Sequence, residues 1–478
     1  MRILILLLIP LLGGISTFFL DGKRRHDTVL AVSILTALFS LLLALRGQET
    51  LTVLRMSDRL SLSFALDGIA KLFILLISVI WVFVGLYSSD YMEHEEKQSR
   101  FFGFFLLTLF SLLALALAAN AETAYMCFEL MTLVSMPLVL QDALAESRAA
   151  ALQYLGFSAL GASLALLGLF LLTPCAESTA FVPGGVALAA EQETRLTAAF
   201  FLMALGFGAK AGLMPLQVWL PVAHPVAPAP ASAVLSGVVT KGGVLAVIRV
   251  TLYLFGADFV RDTWAQKMLL ALAVLTVFTG SMLAYKEKLL KRRLAYSTVS
   301  NVSYVLFGVL LLQPLALEGA LLQVVFHGFA KCALFLCAGA MIHSLHEKTA
   351  DGLFGCGQRM PLTLAGFAMA SLSLVGIPPF GGFIAKWYLA LGALREGSIL
   401  GTVGVAVLLV SALLTAFYLF PIVTKGYFPG KDFSAGEKVE ASRNMLIAMF
   451  ALAAVTLLLG AFPGGLLRGF AAIAESLF

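Results

Sequence analysis

Charged residues are scarce in this sequence. Asp, Glu, Lys and Arg make up 12% of its 478 residues, whereas apolar residues make up 60%. Soluble domains carry about 25% charged residues, so this composition excludes a soluble enzyme. Apolar runs of about 20 residues recur from end to end, and each is long enough to cross the hydrocarbon core of a bilayer. The small net charge of +5, spread over short loops, gives no indication of nucleic-acid binding.

Cysteine and histidine are also few, with five and six residues. No two cysteines form a CxxC pair, and none clusters with histidine at metal-ligand spacing. We interpret the cysteines as small buried hydrophobic residues, which argues against a disulfide framework or an iron–sulfur site. The sequence also lacks a nucleotide-binding loop and a catalytic triad. It therefore predicts no cofactor in this chain and no catalysis by the chain alone.

The apolar runs predict an all-α polytopic membrane protein with about fourteen helices. A transmembrane barrel is excluded, because the runs are too long and do not alternate polar with apolar residues. The first run has only Arg2 before it and lacks a small-residue cleavage site, so we interpret it as a retained span rather than a signal peptide. The predicted helices cover residues 2–20, 28–46, 67–88, 101–119, 121–141, 149–173, 196–215, 232–255, 266–285, 294–312, 318–342, 361–394, 398–424 and 442–465.

Lys and Arg are distributed unevenly between the predicted loops. With the N-terminus outside, the inner loops hold seventeen of them and the outer side holds nine. Inner loops of membrane proteins carry the excess of these residues. The count therefore predicts a multi-pass protein of the cell (cytoplasmic) membrane with both termini outside and the loop "KEKLLKRR" inside.

Six basic residues fall within the predicted spans, where a base at the helix centre costs about 2.5–3.5 kcal/mol. Two of them have a structural explanation. Lys71 follows Asp67 by four residues, so a local ion pair suffices. Arg249 lies near the outer end of its span, so we expect its head group to extend to the interface.

The other four bases lie several residues from any interface. They are Lys210, Lys241, Lys331 and Lys386. Together they cost on the order of 10–14 kcal/mol, which only a packed interior with polar partners or water can offset. Because a buried lysine gains and loses its proton readily, a row of such lysines can pass a proton or respond to one.

An acid and a histidine accompany these lysines. Glu129 lies midway along its span with no base at helical spacing, so we expect it to form a switchable ion pair with Lys210; as a purely structural pair it would be costly. His327 precedes Lys331 by four residues and shares its face. A neutral histidine suits a proton relay. The alternatives are a core histidine or a haem ligand, and haem would need a second histidine at similar depth.

Two of the predicted helices are interrupted by glycine and proline. The first break follows Lys210 and contains Gly212, Pro215 and Pro221. The second precedes Lys386 and contains Gly376, Pro378, Pro379 and Gly381. Backbone groups freed within a bilayer are tolerated where they line a cavity or face protein. Two interrupted helices, one in each half and each with a lysine, indicate a transporter built on internal repeats; a packing kink beside a stray lysine would have to occur twice.

Four segments resemble a known family of membrane subunits. They are "KAGLMPLQVWLPVAHPVAPAPASAVLSGVVTKGG", "RRLAYSTVSNVSYVLFG", "FHGFAKCALFLCAGA" and "GIPPFGGFIAKW". These segments are similar to the antiporter-like subunits of respiratory complex I. The same core occurs in Mrp-type cation/proton antiporters and in membrane-bound hydrogenase and formate hydrogenlyase complexes. The resemblance spans roughly residues 60–430.

The resemblance implies an organisation in four parts. Residues 1–100 are expected to form peripheral N-terminal helices, and residues 425–478 a C-terminal helix. Between them, residues 101–255 and 266–424 are expected to form two inverted five-helix repeats. Each repeat is implied to hold a half-channel around its broken helix, near residues 212–221 and 376–382.

The resemblance also implies roles for single residues. Glu129 matches the key glutamate of the family and Lys210 its broken-helix lysine. Lys241 matches the connecting lysine. His327 and Lys331 match the central relay of the second half. Lys386 matches the terminal residue of the chain of charges, which is lysine in some members and glutamate in others.

Two departures from the family pattern limit what carries over. The family commonly reads "WLPDAH", but Val222 replaces the acid here, so no role for an aspartate is carried over. The sequence ends soon after the last predicted span, and we therefore expect the shorter kind of subunit, without the long lateral helix of the largest complex I member.

The expected function is proton translocation within a redox-driven membrane complex, complex I-like or hydrogenase-type. The expected partners are other membrane subunits, the lipid bilayer and a soluble redox arm bound through neighbouring subunits. The alternative is a subunit of an Mrp-type Na⁺/H⁺ antiporter without a redox partner. A membrane anchor with a vestigial channel is a third interpretation, against which the retained charges argue, since unused charges in lipid are costly.

Overall fold

The computed structural model describes residues 1–57, 60–142, 144–430 and 436–478. Two basic residues of the predicted loops, Arg59 and Lys431, lie outside the described residues. Within them the chain is mostly helical. The main helices are Arg2–Thr17, Gly22–Ala44, Gly68–Tyr91, Gln98–Leu117, Ala121–Val139, Ala145–Leu172, Glu193–Ala211, Trp219–Val226, Ala229–Val234, Thr240–Ile248, Trp264–Lys286, Leu290–Leu310, Pro314–Leu345, Pro361–Val375, Gly381–Glu396, Ile399–Tyr427, Arg443–Ala461 and Gly464–Glu475.

Short segments complete the helical structure. Single turns of α-helix lie at Ala257–Val260 and Cys356–Arg359, and 3₁₀ turns lie at Met92–His94, Thr173–Cys175 and Ala190–Gln192. The π-helical segment Leu235–Val239 joins Ala229–Val234 to Thr240–Ile248, and a second π-helical segment, Arg249–Phe255, extends them into one continuous rod. Such π-turns are rare and often accompany functional sites.

An antiparallel β-hairpin, which the sequence-based prediction missed, interrupts the helices. It pairs Glu49–Arg55 with Ser61–Leu66. The N-terminal amine lies 3.1 Å from the Glu49 carboxylate, and Ile473 packs against Gly68, just beyond the hairpin. Both ends of the chain therefore lie at the same end of the bundle, which we call the hairpin end. The opposite end carries the "KEKLLKRR" loop, and we call it the basic end.

Nine helical segments in the described ranges are long and apolar enough to cross a membrane. They include predicted spans from both halves of the chain and support a polytopic membrane protein. Other predicted spans do not meet this criterion on their own. The helix Arg2–Thr17 has only 16 residues, and the predicted span 361–394 is divided into Pro361–Val375 and Gly381–Glu396.

Two helical rods form the centre of the bundle. Residues 229–255 and residues 319–341 of the helix Pro314–Leu345 are buried throughout by the rest of the chain, whereas six of the 23 residues of the peripheral helix Gly22–Ala44 are buried. The central rods approach each other closely at Gly237, where an added Cβ would lie 2.1 Å from the sulfur of Cys332. Small residues permit such contact between helices in membranes. This close approach brings Lys241 and His327 together.

Candidate functional site

The structure buries nearly all of the charged residues that the sequence singled out. Lys210 and Lys331 are fully buried, Lys241 and His327 are 1% exposed, and Lys386 is 7% exposed. Glu129 is half-buried. These side chains are distributed along the interior of the bundle. We refer to the following six residues together as the charged row: Glu129, Lys210, Lys241, His327, Lys331 and Lys386.

The first helix break places Lys210 in the last turn of the helix Glu193–Ala211. The helix ends at Gly212, whose φ of 82° lies in the left-handed region, and Pro215 follows a cis peptide bond. The chain resumes helical structure at Trp219, so Pro221 lies in the first turn of the helix Trp219–Val226, where proline is tolerated. The indole nitrogen of Trp219 donates to the Ala209 carbonyl at 3.0 Å, which ties the two helices together across the break.

The Lys210 ammonium is held by the helix Ala145–Leu172. Its nitrogen donates to the Tyr154 hydroxyl at 2.8 Å and to the Ser158 hydroxyl at 2.9 Å. It also lies 4.0 Å from the centre of the Tyr154 ring, within the range of a cation–π interaction. Tyr154 in turn hydrogen-bonds Ser135 at 2.6 Å, on the helix that carries Glu129.

The predicted ion pair between Glu129 and Lys210 is not formed. The two side chains still influence each other electrostatically. The hydrogen bonds of the Lys210 ammonium, however, go to the hydroxyl groups of Tyr154 and Ser158. One carboxylate oxygen of Glu129, Oε1, is buried without a hydrogen-bond partner in the part of the chain that the structure describes. The prediction of a direct contact between Glu129 and Lys210 was wrong, because the sequence does not reveal that a neighbouring helix supplies two hydroxyl groups to Lys210.

Lys241 and His327 form the closest contact within the charged row. The Lys241 nitrogen lies 2.6 Å from Nδ1 of His327, and it also donates to the Ser236 carbonyl at 2.7 Å. The second ring nitrogen of His327 has no hydrogen-bond partner among the described residues. Ammonium has no lone pair, whereas neutral imidazole can accept a hydrogen bond. A hydrogen bond between these two nitrogens therefore carries one proton, and it requires that one of the two groups be neutral and accept that bond.

Lys331 shares a helix with His327 but contacts a different partner. Its ammonium donates to the Leu294 carbonyl at 2.8 Å and to the Ser297 hydroxyl. Both acceptors belong to the helix Leu290–Leu310. The helix Pro314–Leu345 thus contacts Lys241 through His327 and the helix Leu290–Leu310 through Lys331.

The second helix break supplies the partners of Lys386. The helix Pro361–Val375 ends at Gly376, whose φ of 90° favours glycine. Pro378 and Pro379 follow, joined by a cis peptide bond, and Gly381 begins the next helix. The Lys386 ammonium donates to the carbonyls of Leu374 and Val375, both at 2.7 Å. These terminal carbonyls have no intrahelical partner and carry the negative end of the helix dipole.

The structure corrects the interpretation of the two bases that were considered structural. The Asp67 carboxylate pairs with both terminal nitrogens of the Arg249 guanidinium, and the Lys71 ammonium donates to the Arg46 carbonyl. Arg249 is buried against the rings of Phe181 and Tyr253 rather than extended to the interface. The ion pair predicted between Asp67 and Lys71 does not form, because Asp67 caps its own helix at Ala70 and faces the rod formed by residues 229–255.

Sequence reasoning passed over His224. This imidazole is fully buried, and neither ring nitrogen has a hydrogen-bond partner within the described ranges. The available signal was a histidine inside the proline-rich link that follows the first break. All five cysteines are buried free thiols, and the described residues contain no group of three or more His, Cys, Asp and Glu side chains suited to a metal ion.

Comparison with known sequences identifies the family. Residues 118–415 match the family described as NADH:quinone oxidoreductase/Mrp antiporter, TM. Residues 55–102 match the family described as NADH-Ubiquinone oxidoreductase (complex I), chain 5 N-terminus. The first match covers more than half of the chain. The chain belongs to this family.

Relatives come from three kinds of complex. NADH-quinone oxidoreductase subunit N of Desulforudis audaxviator is 32% identical over 373 residues, which cover 77% of this chain and 73% of the relative. Hydrogenase-4 component B of Escherichia coli is 32% identical over 422 residues, covering 83% of this chain but only 62% of that longer protein. A Na(+)/H(+) antiporter subunit of Bacillus subtilis is 27% identical over 418 residues, covering 85% of this chain and 83% of the relative. The chain is thus an antiporter-like membrane subunit.

Solved structures share the fold. A chain of the membrane-bound sulfane sulfur reductase, an archaeal respiratory membrane complex, superposes with a TM-score of 0.87 at 21% identity, covering 99% of this chain and 97% of that one. A chain of respiratory complex I from Thermus thermophilus gives a TM-score of 0.84 at 24% identity, covering 100% and 99%. The polytopic helical fold is therefore that of antiporter-like subunits.

Proposed function

We propose that this chain is the proton-translocating subunit of a multi-subunit, redox-driven ion pump. The observation that carries the proposal is the 2.6 Å contact between Lys241 and His327, in the buried middle of the two central rods. A proton shared by two bases can leave toward either neighbour when the surrounding charge changes. In a merely structural core, apolar residues would fill this position at lower cost.

The charged row provides a route along the bundle. Glu129 and Lys210 occupy one part of it, Lys241 and His327 the middle, and Lys331 and Lys386 the remainder. Lys210 and Lys386 each lie beside a helix break and are held by polar groups that a small rearrangement can exchange. We propose that Gly212, Pro215, Pro221, Gly376, Pro378, Pro379 and Gly381 act as hinges at these two breaks.

The proposed organisation follows the family. It comprises fourteen spans, with residues 1–100 at the periphery, repeats at 101–255 and 266–424 in inverted orientation, and residues 425–478 as the C-terminal helix. The similar construction of the two breaks supports the repeat. We further propose that both termini face the outside of the cell membrane, because the basic end then carries the excess of Lys and Arg on the inside.

The alternative is an Mrp-type antiporter subunit without a redox partner. The relatives favour the redox-driven interpretation: the oxidoreductase and hydrogenase subunits are 32% identical, and the antiporter subunit is 27% identical. Other membrane subunits are the expected partners in both cases. A soluble redox arm, attached through neighbouring subunits, is expected only in the first.

Co-purification separates the two functions. The chain, extracted from its native membrane in mild detergent, is expected to bring with it membrane subunits and redox subunits that contain iron. Mass spectrometry identifies the subunits, and metal analysis of the intact complex measures the iron. If only small membrane subunits co-purified, without redox subunits, the chain would be an antiporter subunit and the redox-driven function would be wrong.

Glu129→Gln is expected to slow coupled proton movement about tenfold, within the range of coupling between charged sites. Its carboxylate acts on Lys210 through space, and glutamine removes the charge while keeping the size. The measurement is proton uptake per unit of driving reaction by the complex in proteoliposomes. Glu122→Gln is the matched control, because Glu122 lies on the same helix but contacts Thr179 at the hairpin end. Unchanged coupling in Glu129→Gln would remove Glu129 from the charged row.

A further inference from the structure

A cavity of about 810 Å³ lies at the hairpin end of the bundle, away from the charged row. Three segments that are far apart in the sequence form its wall, namely residues 261–270, 311–313 and 395–400. The helix Trp264–Lys286 begins at the cavity and runs to the basic end, which places the cavity at the opposite, hairpin end. Each of the three segments contains the end of a helix or joins two helices. The cavity therefore lies at the level where several spans leave the membrane.

Three basic side chains line this cavity, and they are Arg261, Lys267 and Arg395. The Arg261 guanidinium donates to the Leu312 carbonyl at 3.0 Å, which holds it at the cavity wall. Lys267 and Arg395 are exposed, and Arg395 lies in the last turn of its helix. Guanidinium and ammonium groups bind phosphate through charge-assisted hydrogen bonds. The basic side chains thus suit a phosphate group.

Two carboxylates line the same cavity. The Asp262 carboxylate lies 3.5 Å from the Lys267 ammonium, and the Glu396 carboxylate accepts from the Ser398 amide at 3.0 Å. A ligand with negative charge alone would be repelled by these two groups. A ligand that carries a phosphate and an ammonium group can pair with side chains of both signs. Charge complementarity therefore favours a zwitterionic ligand.

Exposed apolar side chains beside the cavity indicate contact with lipid. Ile399 lines the cavity and is 85% exposed. Trp264 and Met268, on the helix that begins there, are 51% and 50% exposed. Tryptophan is enriched where a span meets the membrane surface, so the cavity lies at headgroup depth. Its volume falls in the range of pockets that hold whole small molecules, about 300–1,000 Å³, and is far larger than a phosphate ion requires.

We propose that this cavity binds the headgroup of a membrane phospholipid that carries both a phosphate and a primary ammonium group, the chemistry of phosphatidylethanolamine. The three basic side chains bind the phosphate. Asp262 and Glu396 accept hydrogen bonds from the ammonium, and the acyl chains extend into the bilayer past Ile399. The bound lipid connects the three segments of the cavity wall. The site is separate from the charged row and does not depend on the proposed function.

Photo-cross-linking tests this site in the intact complex. A phosphatidylethanolamine with a diazirine near the glycerol end of one acyl chain is added to the complex in mild detergent and irradiated, and labelled peptides are mapped by mass spectrometry. Labels are expected within residues 264–270 and 398–403. Lys267→Gln combined with Arg395→Gln is expected to lower this labelling about tenfold, the loss of roughly one charged hydrogen bond. Both side chains are exposed, so the variant is expected to fold.

Arg468→Gln is the matched control. It makes the same exchange at an exposed position of the C-terminal helix Gly464–Glu475, at the same end of the bundle but outside the cavity. Labelling is expected to stay unchanged. The absence of labels at the cavity in the unaltered complex would overturn the lipid site, and so would equal labelling of the unaltered complex and the double variant.

Competition identifies the headgroup. Unlabelled phosphatidylethanolamine is expected to suppress labelling, and phosphatidylcholine, whose trimethylammonium has no N–H to donate, is expected to compete about tenfold more weakly. Asp262→Asn combined with Glu396→Gln is expected to remove this difference. Equal competition by the two lipids in the unaltered complex, or stronger competition by phosphatidylglycerol, would overturn the recognition of an ammonium group. Suppression by inorganic phosphate would make the cavity an anion site and overturn the lipid.

Discussion

Lys241→Met is expected to stop proton movement through the chain while the complex still assembles. Methionine keeps the unbranched apolar stem of lysine and is one heavy atom shorter, so the central rod keeps most of its packing. What is lost is the nitrogen that lies 2.6 Å from Nδ1 of His327 and that exchanges a proton with it in the proposed function. Removing a positioned acid–base group costs about 100-fold or more in rate. The measurement is proton uptake by proteoliposomes that contain the intact complex.

The contact between the two bases leads to a further expected result, which concerns variants of both residues. If Lys241 and His327 act as one unit, His327→Phe is expected to be as severe as Lys241→Met, and the double variant no worse than either. Groups that act together are strongly non-additive in this way. If the two residues contributed independently, the rate losses of the two single variants would multiply in the double variant. That outcome would contradict a proton shared between Lys241 and His327.

Lys71→Met is the matched control. It removes another lysine from a predicted span, but its ammonium donates to the Arg46 carbonyl away from the charged row. Uptake is expected to stay unchanged. Equal losses in Lys71→Met and Lys241→Met would indicate a general effect of charge on the bundle and would contradict a specific role for Lys241.

The burial of the lysines was predictable from the sequence because the reason is local. A lysine in the middle of an apolar run must enter the protein interior, whatever the fold around it. The positions of the two breaks were also predictable, because each combines proline, which removes a backbone donor, with glycine, which permits a non-helical turn. Lys210, Lys241, Lys331 and Lys386 are accordingly buried as expected.

The partners of these lysines were not predictable, because other helices supply them. Tyr154 and Ser158 lie more than fifty residues before Lys210 in the chain. Sequence reasoning sought an acid for Lys210 and therefore chose Glu129. The partners found are hydroxyl groups and terminal carbonyls, which are too common in a sequence to stand out.

The sequence-based prediction missed the hairpin and the π-segments for different reasons. The strands Glu49–Arg55 and Ser61–Leu66 do alternate polar with apolar residues in part, but they are short beside the surrounding helical runs. The π-segments Leu235–Val239 and Arg249–Phe255 have no distinct sequence pattern, because one extra residue per turn leaves an apolar run apolar.

Asp67→Asn is expected to destabilise the protein by about 3 kcal/mol, the lower end for breaking a buried ion pair. The side chains of Arg249 and Asp67 are 3% and 23% exposed, so the guanidinium would keep its charge in a site that no longer neutralises it. Asparagine remains a good helix cap and can still accept from the Ala70 amide. The substitution thus isolates the charge of Asp67. Thermal unfolding of the purified protein in detergent measures the loss.

Arg249 variants complete the test of this pair. Arg249→Lys keeps the positive charge but not the planar fork that bonds both carboxylate oxygens, so an intermediate loss is expected. Asp67→Asn combined with Arg249→Met removes both charges and is expected to recover part of the stability, because no unpaired charge remains. A double variant less stable than Asp67→Asn alone would mean that Arg249 holds the central rod through the rings of Phe181 and Tyr253, with the carboxylate contributing little.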